Sequence, residues 1–252
     1  MTTALIIAIA SLAGAPAMDF DHTHSQLSGV LSQHVHDGLV DYAALKEDRA
    51  TLDGYLDTVG AVTVAVFQRW GREQQLAYLI NVYNATTLRL VIDHYPVGSI
   101  KSIGSFLNGP WDKKIVNVFG KTISLNTLEH KIIRKRYAEP RIHFSLVCGA
   151  VGCPPLRDEA YQGEQLERQL EAQTVSFLAE PKKNRIDSDA EKLFLSPIFK
   201  WYRKDFEMDS GSLKDYLNPY LAGTDRPDGL REFDITFTDY DWSLNDRVRW
   251  EE

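Results

Sequence analysis

The stretch from Glu129 to Cys153 concentrates, within 25 residues, side chains that carry nucleophilic and acid–base chemistry: Glu129, His130, His143, Cys148 and Cys153. A cysteine thiolate is a nucleophile, and a nearby base or positive charge is needed to form it. The sequence Gly149-Ala150-Val151-Gly152 predicts a turn, in which glycines let a substrate approach the backbone and free N–H groups can hold an oxyanion. This pattern predicts Cys148 as the nucleophile and Cys153 as the second candidate.

Two histidines are candidates for the base that takes the thiol proton. The segment Arg141–Cys148 is β-branched and aromatic, which predicts a strand. Five residues along a strand would place His143 and Cys148 on opposite faces and about 16 Å apart. We therefore predict His130, on another element, as the base, with His143 as its substitute. Glu129 is predicted to orient the histidine or accept a proton, although it projects about 100° away from His130 on a helix.

The cysteines allow other interpretations. Cys148 and Cys153 can form a disulfide across the turn in an oxidising compartment, or both can be buried as small apolar side chains. With His130 and His143 they could bind zinc, but the spacing matches no zinc finger, and we predict neither a metal nor a cofactor. A reversible redox pair is a further possibility, although such pairs usually read Cys-x-x-Cys.

The longest predicted helix covers residues 73–95 and is apolar nearly all round, so we expect it to be buried centrally. Asn81 and Asn84 share one face of it. Buried amides need partners, so these two either bond the backbone of a loop or line a pocket and bind substrate. Arg134 shares a helix face with His130 and is predicted to grip a substrate carboxylate.

The remaining pattern mixes helices and strands. Residues 25–60 are predicted to be helical, and residues 115–123 form a hairpin. A helix is predicted to begin at Asn126, because Glu129 completes a capping box, and others cover residues 163–178 and 198–206. Short strands are predicted at 193–195 and 233–237. This order predicts an α+β fold with a central antiparallel or mixed sheet, a buried helix and surrounding helices.

Composition restricts the partners and the location. The chain has 252 residues, 44% hydrophobic residues and a formal net charge of −7, which disfavours nucleic acids and anionic membranes as partners. Residues 1–17 contain a short apolar run followed by Ala15 and Ala17, which predicts a signal peptide, although no basic residue follows Met1. We therefore expect a single globular domain over residues 18–252, periplasmic or secreted, with no integral membrane segment after signal removal.

Five motifs together resemble the family called domain of unknown function 547, over about residues 19–245: Tyr78-Leu-Ile-Asn-Val-Tyr-Asn-Ala85, Ser124-Leu-Asn-Thr-Leu-Glu-His130, Arg141–Ala150 with Cys153-Pro-Pro-Leu-Arg157, Ile198–Phe206 and Tyr240-Asp-Trp-Ser-Leu-Asn245. The resemblance implies a family common in bacterial exported and membrane-anchored proteins, and fused to other modules in plants. A relation to papain-like and transglutaminase-like cysteine enzymes is an analogy between folds.

Three functions fit these residues. The first is a papain-like thiol hydrolase or transferase that acts on a small peptide or amide outside the cytoplasm. The second is a non-catalytic module that binds a small peptide, such as a thiol peptide like glutathione or a cell-wall fragment. The third is an exported thiol redox protein that uses Cys148 and Cys153 as a reversible pair.

Overall fold

The computed structural model describes residues 20–104, 109–221 and 229–250, which fold into helices and small sheets. In the first part of the chain these elements are α1 (Ser25–His34), β1 (Val35–His36), β2 (Leu39–Val40), α2 (Tyr42–Glu47), α3 (Ala50–Gly60), α4 (Val64–Phe67) and α5 (Arg72–His94). Short 3-10 helices follow at Ile100–Ile103 and Pro110–Asp112, and then the hairpin strands β3 (Lys114–Val118) and β4 (Lys121–Ser124).

The second part begins with a continuous helical segment that consists of α6 (Leu125–Thr127), a π-helical stretch (Leu128–Ile133) and α7 (Arg134–Arg136). After the 3-10 helices Pro140–Phe144 and Gly163–Gln165 come α8 (Leu166–Leu178), β5 (Arg185–Asp187), β6 (Lys192–Leu195), α9 (Ile198–Trp201), α10 (Arg203–Ser210), α11 (Leu213–Leu221), β7 (Asp234–Phe237) and the 3-10 helix Arg247–Trp250.

Helix α5 confirms the predicted central helix. It begins after Gly71, whose N–H donates to Gln74 Oε1 at 3.0 Å, and it ends just before Tyr95-Pro96, because the residue before a proline is disfavoured in a helix. Nearly every side chain from Leu76 to Ile92 is buried. The helix is therefore the axis of the main core and not a surface helix with one apolar stripe.

The α+β class is confirmed, but the expected central sheet is not present in the described residues. The strands form three small sheets: antiparallel β1–β2, antiparallel β3–β4, and β5–β6–β7, in which β6 pairs antiparallel with β5 and parallel with β7. The physical reason is that α5, buried on nearly all sides, occupies the centre of the main core in place of a sheet. This layout gives no support to a papain-like fold.

A second apolar core lies beside the first and is built by α8 to α11 with the three-stranded sheet. Phe144 connects to it, stacking on Phe177 with ring centroids 5.0 Å apart. Tyr240 packs against both cores. The segment from Phe144 to Cys153 therefore runs where the two cores meet.

The predicted strand over residues 141–148 is wrong. A 3-10 helix covers Pro140–Phe144, and irregular backbone follows it. The side chain of Asn84 accounts for the difference: its Nδ2 donates to the Ser145 carbonyl at 2.9 Å, and its Oδ1 accepts from the Val147 N–H at 2.9 Å. Tertiary hydrogen bonds to a helix thus take the place of a strand ladder and override local β-propensity.

Other element predictions differ in their details. The β1–β2 hairpin interrupts the predicted helical region 25–60, and Tyr202 divides the predicted helix 198–206 into α9 and α10. The helix expected to begin at Asn126 starts one residue earlier, because Ser124 is the cap and its hydroxyl accepts from the Thr127 N–H at 3.1 Å. The hairpin at 115–123 is confirmed, with positive φ at Phe119 (55°) and Gly120 (71°) forming its turn.

The predicted signal peptide at residues 1–17 lies outside the described residues. None of the helices in the described part of the chain has the length and apolar character needed to cross a bilayer.

Replacing Asn84 by alanine should destabilise the fold strongly. The change leaves the Ser145 carbonyl and the Val147 N–H without their side-chain partner in a buried region, at a cost of about 3 kcal/mol in the free energy of unfolding. Urea unfolding measures the loss. The control Asn117→Ala removes an exposed amide and should change the same quantity by about 0.5 kcal/mol or less. Equal small losses in both variants would contradict the role assigned to Asn84.

Candidate functional site

A cavity of about 320 Å³ contains all five residues predicted to be catalytic. Its walls are formed by residues from both cores: Tyr83, Trp111, Asn126, Glu129, His130, His143, Leu146, Cys148, Cys153, Pro154, Ile198, Trp201, Tyr202, Tyr240 and Trp242. The volume lies near the lower end of the range typical of small-ligand sites. Apolar and aromatic walls with a few convergent polar groups are also typical of such sites.

A disulfide joins Cys148 and Cys153, with an S–S distance of 2.03 Å. Of the interpretations that the sequence left open for the two cysteines, the structure contains the disulfide across the turn. The Tyr240 hydroxyl lies 3.3 Å from Cys148 Sγ and 3.1 Å from Cys153 Sγ. Lys183 Nζ donates to the Cys153 carbonyl at 2.7 Å. Cys148 is partly exposed and Cys153 is buried, so Cys148 is the more accessible of the two residues.

The tight turn between the cysteines depends on two glycines. Gly149 has a φ of +81°, in the left-handed region that favours glycine. At Gly152 an added Cβ would lie 2.9 Å from the Asp241 carbonyl oxygen. The turn therefore packs closely against the segment that carries Tyr240. This packing brings the Tyr240 hydroxyl within hydrogen-bonding distance of both sulfurs.

Glu129 is 6% exposed and lies in the cavity wall. The Tyr202 hydroxyl donates to its Oε1 at 2.7 Å. Burial, and then the negative charge of Glu129, raise the pKa of Tyr202 and of Tyr83 well above the usual range for tyrosine. Both tyrosines therefore keep their protons, and Tyr202 acts as a donor to the carboxylate.

Arg134 is paired within the protein and is not among the cavity-lining residues. Its Nε and Nη2 donate to the two oxygens of Asp205 at 2.7 and 2.8 Å. Its Nη1 lies 3.0 Å from Nδ1 of His130. Because a guanidinium has only donors, Nδ1 of a neutral His130 must accept, which leaves the proton on Nε2. Glu129 Oε1 lies 3.5 Å from the same nitrogen, so His130 Nδ1 lies close to both Arg134 and this carboxylate.

His143 is held by the same aspartate. Its Nε2 lies 2.8 Å from Asp205 Oδ2, and its ring stacks on Tyr202 with centroids 3.7 Å apart. Burial would raise the pKa of Asp205, but the hydrogen bonds from His143 and Arg134 outweigh it and keep that pKa well below its usual range. Since Arg134 already balances this carboxylate, burial dominates at His143 and lowers its pKa. His143 is thus neutral near pH 7, with Nε2–H donated to Asp205 and Nδ1 as the basic atom.

Asn81 and Asn84 lie outside the cavity lining. Asn81 bonds the backbone of Tyr161, donating to its carbonyl at 2.7 Å and accepting from its N–H at 2.9 Å, and Asn84 bonds Ser145 and Val147 in the same way. The sequence left two alternatives open for these amides, hydrogen bonds to the backbone of a loop or a place in a pocket wall. The structure contains the hydrogen bonds to loop backbone.

An aromatic wall that the sequence analysis did not single out forms one side of the cavity. It consists of Trp111, Trp201, Tyr240 and Trp242, whose neighbouring ring centroids lie 4.5 to 6.0 Å apart. Trp201 is 49% exposed. The motifs 198–206 and 240–245 contain three of these residues, and the unusual density of tryptophan and tyrosine there was the available signal. Among the described residues, no group of three or more His, Cys, Asp or Glu side chains could hold a metal ion.

Removing the Tyr240 hydroxyl should make Cys148 less reactive in the reduced protein. With the disulfide open, a hydroxyl at this position stabilises a thiolate, so in Tyr240→Phe the pH midpoint of Cys148 alkylation should rise by about one unit. Iodoacetamide labelling of reduced protein, read by peptide mass, measures it. The control Tyr220→Phe removes a hydroxyl that bonds Glu171, away from this cavity, and should leave the midpoint unchanged. An unchanged midpoint in Tyr240→Phe would contradict the assignment.

Acid should destabilise the protein partly through His143. The unfolded chain binds the histidine proton near a pKa of about 6.5, whereas the folded protein binds it only at lower pH. Below about pH 6.5 the unfolded state therefore holds more protons, and stability falls as pH falls. Urea unfolding at about pH 7 and pH 5 should show a larger loss in the wild type than in His143→Gln. His36→Gln, at an exposed histidine, should behave as the wild type. An equal loss in all three proteins would refute this.

Comparison with known proteins identifies the segment that carries most of the site. The family model described as "Protein of unknown function, DUF547" matches residues 67–178, a shorter stretch than the resemblance over about residues 19–245 suggested. No curated protein and no solved structure matches the chain. The matched segment contains the five predicted catalytic residues, whereas Trp201, Tyr202, Asp205, Tyr240 and Trp242 lie beyond it. The likeness to the DUF547 family therefore covers residues 67–178 of this chain.

Proposed function

We propose that the cavity is the active site of an exported thiol hydrolase or transferase that acts on a small peptide or amide. The observation that carries the proposal is the location of Cys148 and His143 in one small, mostly aromatic cavity. The oriented His143–Asp205 pair supplies a base with a fixed tautomer, which a cysteine nucleophile needs. The proposed enzyme is like papain-like enzymes in the chemistry of its residues, a cysteine nucleophile with a histidine base.

Reduction of the disulfide is the first requirement of this mechanism. Two molecules of an external thiol reduce Cys148–Cys153: the first forms a mixed disulfide and releases one cysteine, and the second releases the other as the external disulfide forms. Cys148 is the sulfur that can then serve as nucleophile, since it is the more exposed of the two. The Tyr240 hydroxyl donates to the resulting thiolate.

Acyl transfer then follows in two steps. Nδ1 of His143 takes the Cys148 proton, and the thiolate attacks the amide carbonyl carbon of the substrate. The tetrahedral intermediate expels the amine, which takes the proton back from His143, and a thioester remains on Cys148. Water cleaves the thioester in a hydrolase, and a second amine cleaves it in a transferase. His130, with its proton on Nε2, acts as a donor to the bound substrate.

The disulfide favours a second candidate, a binding module without turnover. In the oxidised protein neither cysteine is a free thiol, while the cavity and its polar groups are intact. The same walls can hold a small peptide. A reversible redox role for the pair is the third candidate, and it shares the requirement that an external thiol reaches Cys148.

Export also remains a proposal, for a periplasmic or secreted protein. Two features support it: the apolar run followed by small residues in positions 1–17, and the disulfide, which persists in oxidising compartments.

The two cysteines should respond differently to replacement by serine. Purified mature protein, reduced with dithiothreitol, is assayed against a set of short peptide amides by mass spectrometry. Cys148→Ser should lower turnover at least about a thousandfold, because the nucleophile is lost. Cys153→Ser should retain turnover and no longer need reductant, because Cys148 then has no partner.

Unfolding of both variants is compared with that of the wild type to show that each is folded. Full turnover in Cys148→Ser would refute the thiol mechanism. Peptides that bind the reduced wild-type protein but are never cleaved or transferred would establish the binding module instead.

A further inference from the structure

We infer that the cavity recognises a primary ammonium group on its ligand, the group carried by a peptide amino terminus or a lysine side chain. This inference deepens the proposed function and rests on it for the reaction, but the binding that it describes needs no turnover. It follows from the charges, the aromatic faces and the hydrogen-bond acceptors of the cavity.

The charges in the cavity favour a cation. The fifteen described residues of the lining include two histidines, one carboxylic acid and no lysine or arginine. Apart from the histidines, Glu129 is the residue of this set with a formal charge near pH 7. Two cations behind the lining are already engaged: Arg134 with both oxygens of Asp205, and Lys183 with the Cys153 carbonyl. Among the described lining residues, an anionic ligand would meet the buried Glu129 carboxylate and no lysine or arginine to balance its charge.

The aromatic faces favour the same sign of charge. Six aromatic rings line the cavity, and the face of each carries partial negative charge that attracts ammonium groups. One ring already binds such a group: the ammonium nitrogen of Lys101 lies 3.7 Å from the centroid of Trp242. A buried carboxylate that shares one cavity with six aromatic rings is a combination suited to a cationic amine.

The acceptors of the cavity select a primary ammonium over a quaternary one. The Glu129 carboxylate can accept about four hydrogen bonds, and the Tyr202 hydroxyl uses one position on Oε1. A primary ammonium has three N–H donors that can bond this carboxylate, whereas a quaternary ammonium has none. Glu129 therefore acts as a specificity-determining residue that binds the ammonium group of the ligand. This role replaces the binding of a substrate carboxylate that the sequence predicted for Arg134.

Paired probes test the inference on the oxidised wild-type protein. The first pair is Nα-acetyl-lysine amide and its Nε-acetylated counterpart, and the second is alanyl-alanine amide and N-acetyl-alanyl-alanine amide. Tryptophan fluorescence and calorimetry measure their dissociation constants. We expect at least one ammonium probe to bind about tenfold or more tightly than its neutral counterpart. The pair with the larger ratio indicates whether a lysine side chain or an amino terminus is the source of the ammonium.

Matched variants locate the effect. Glu129→Gln keeps the side-chain volume and should bring the affinity ratio close to one, whereas Glu164→Gln makes the same charge change at an exposed site and should leave the ratio unchanged. Trp201→Leu, at a half-exposed ring, should weaken ammonium binding severalfold. The wild-type comparison decides the matter even when Glu129→Gln does not fold.

Three results would overturn the inference: equal affinity for the charged and neutral probes, tighter binding of the neutral probes, or no binding of either charged probe. Its failure is separable from failure of the proposed function. An ammonium preference without turnover by the reduced protein removes the enzyme but keeps this site. Turnover without an ammonium preference removes this site but keeps the enzyme.

Discussion

The site depends on the two hydrogen bonds that the Asn84 side chain makes with the backbone of Ser145 and Val147. One amide of the buried helix α5 satisfies a carbonyl and an N–H of the segment that carries His143 and Cys148. Because both partners are buried, breaking either bond leaves an unpaired polar group in an apolar core. Asn81 repeats the same pattern on the backbone of Tyr161. The central helix thus positions the catalytic candidates without itself entering the cavity.

Asp205 provides the second constraint, since it joins the two cores through charge. It accepts from Arg134 and from His143, which lie 71 and 62 residues away along the chain. The arginine neutralises the aspartate, so burial controls the protonation of His143 and the imidazole stays neutral and basic. The same arginine also contacts His130, with Nη1 3.0 Å from Nδ1. A single ion pair therefore touches both histidines of the cavity.

The disulfide links this geometry to the redox conditions around the protein. While the disulfide between Cys148 and Cys153 is closed, the cavity has no thiolate. Once it is open, the Tyr240 hydroxyl lies where a thiolate needs a donor. The two proposals, ligand binding and catalysis, therefore concern different redox states of the same cavity.

The sequence by itself determined the α+β class, the extent of the central helix, the β3–β4 hairpin and the five residue types that meet in the cavity. These features follow from local periodicity and from chemistry concentrated within 25 residues. Only the tertiary structure decided that residues 141–148 are not a strand, that the strands of the described residues form three small sheets without a central one, that Arg134 pairs with Asp205, and that an aromatic wall lines the same cavity as Glu129. Each of these depends on partners tens of residues away, and local propensity carries no information about which distant group will satisfy a buried polar atom.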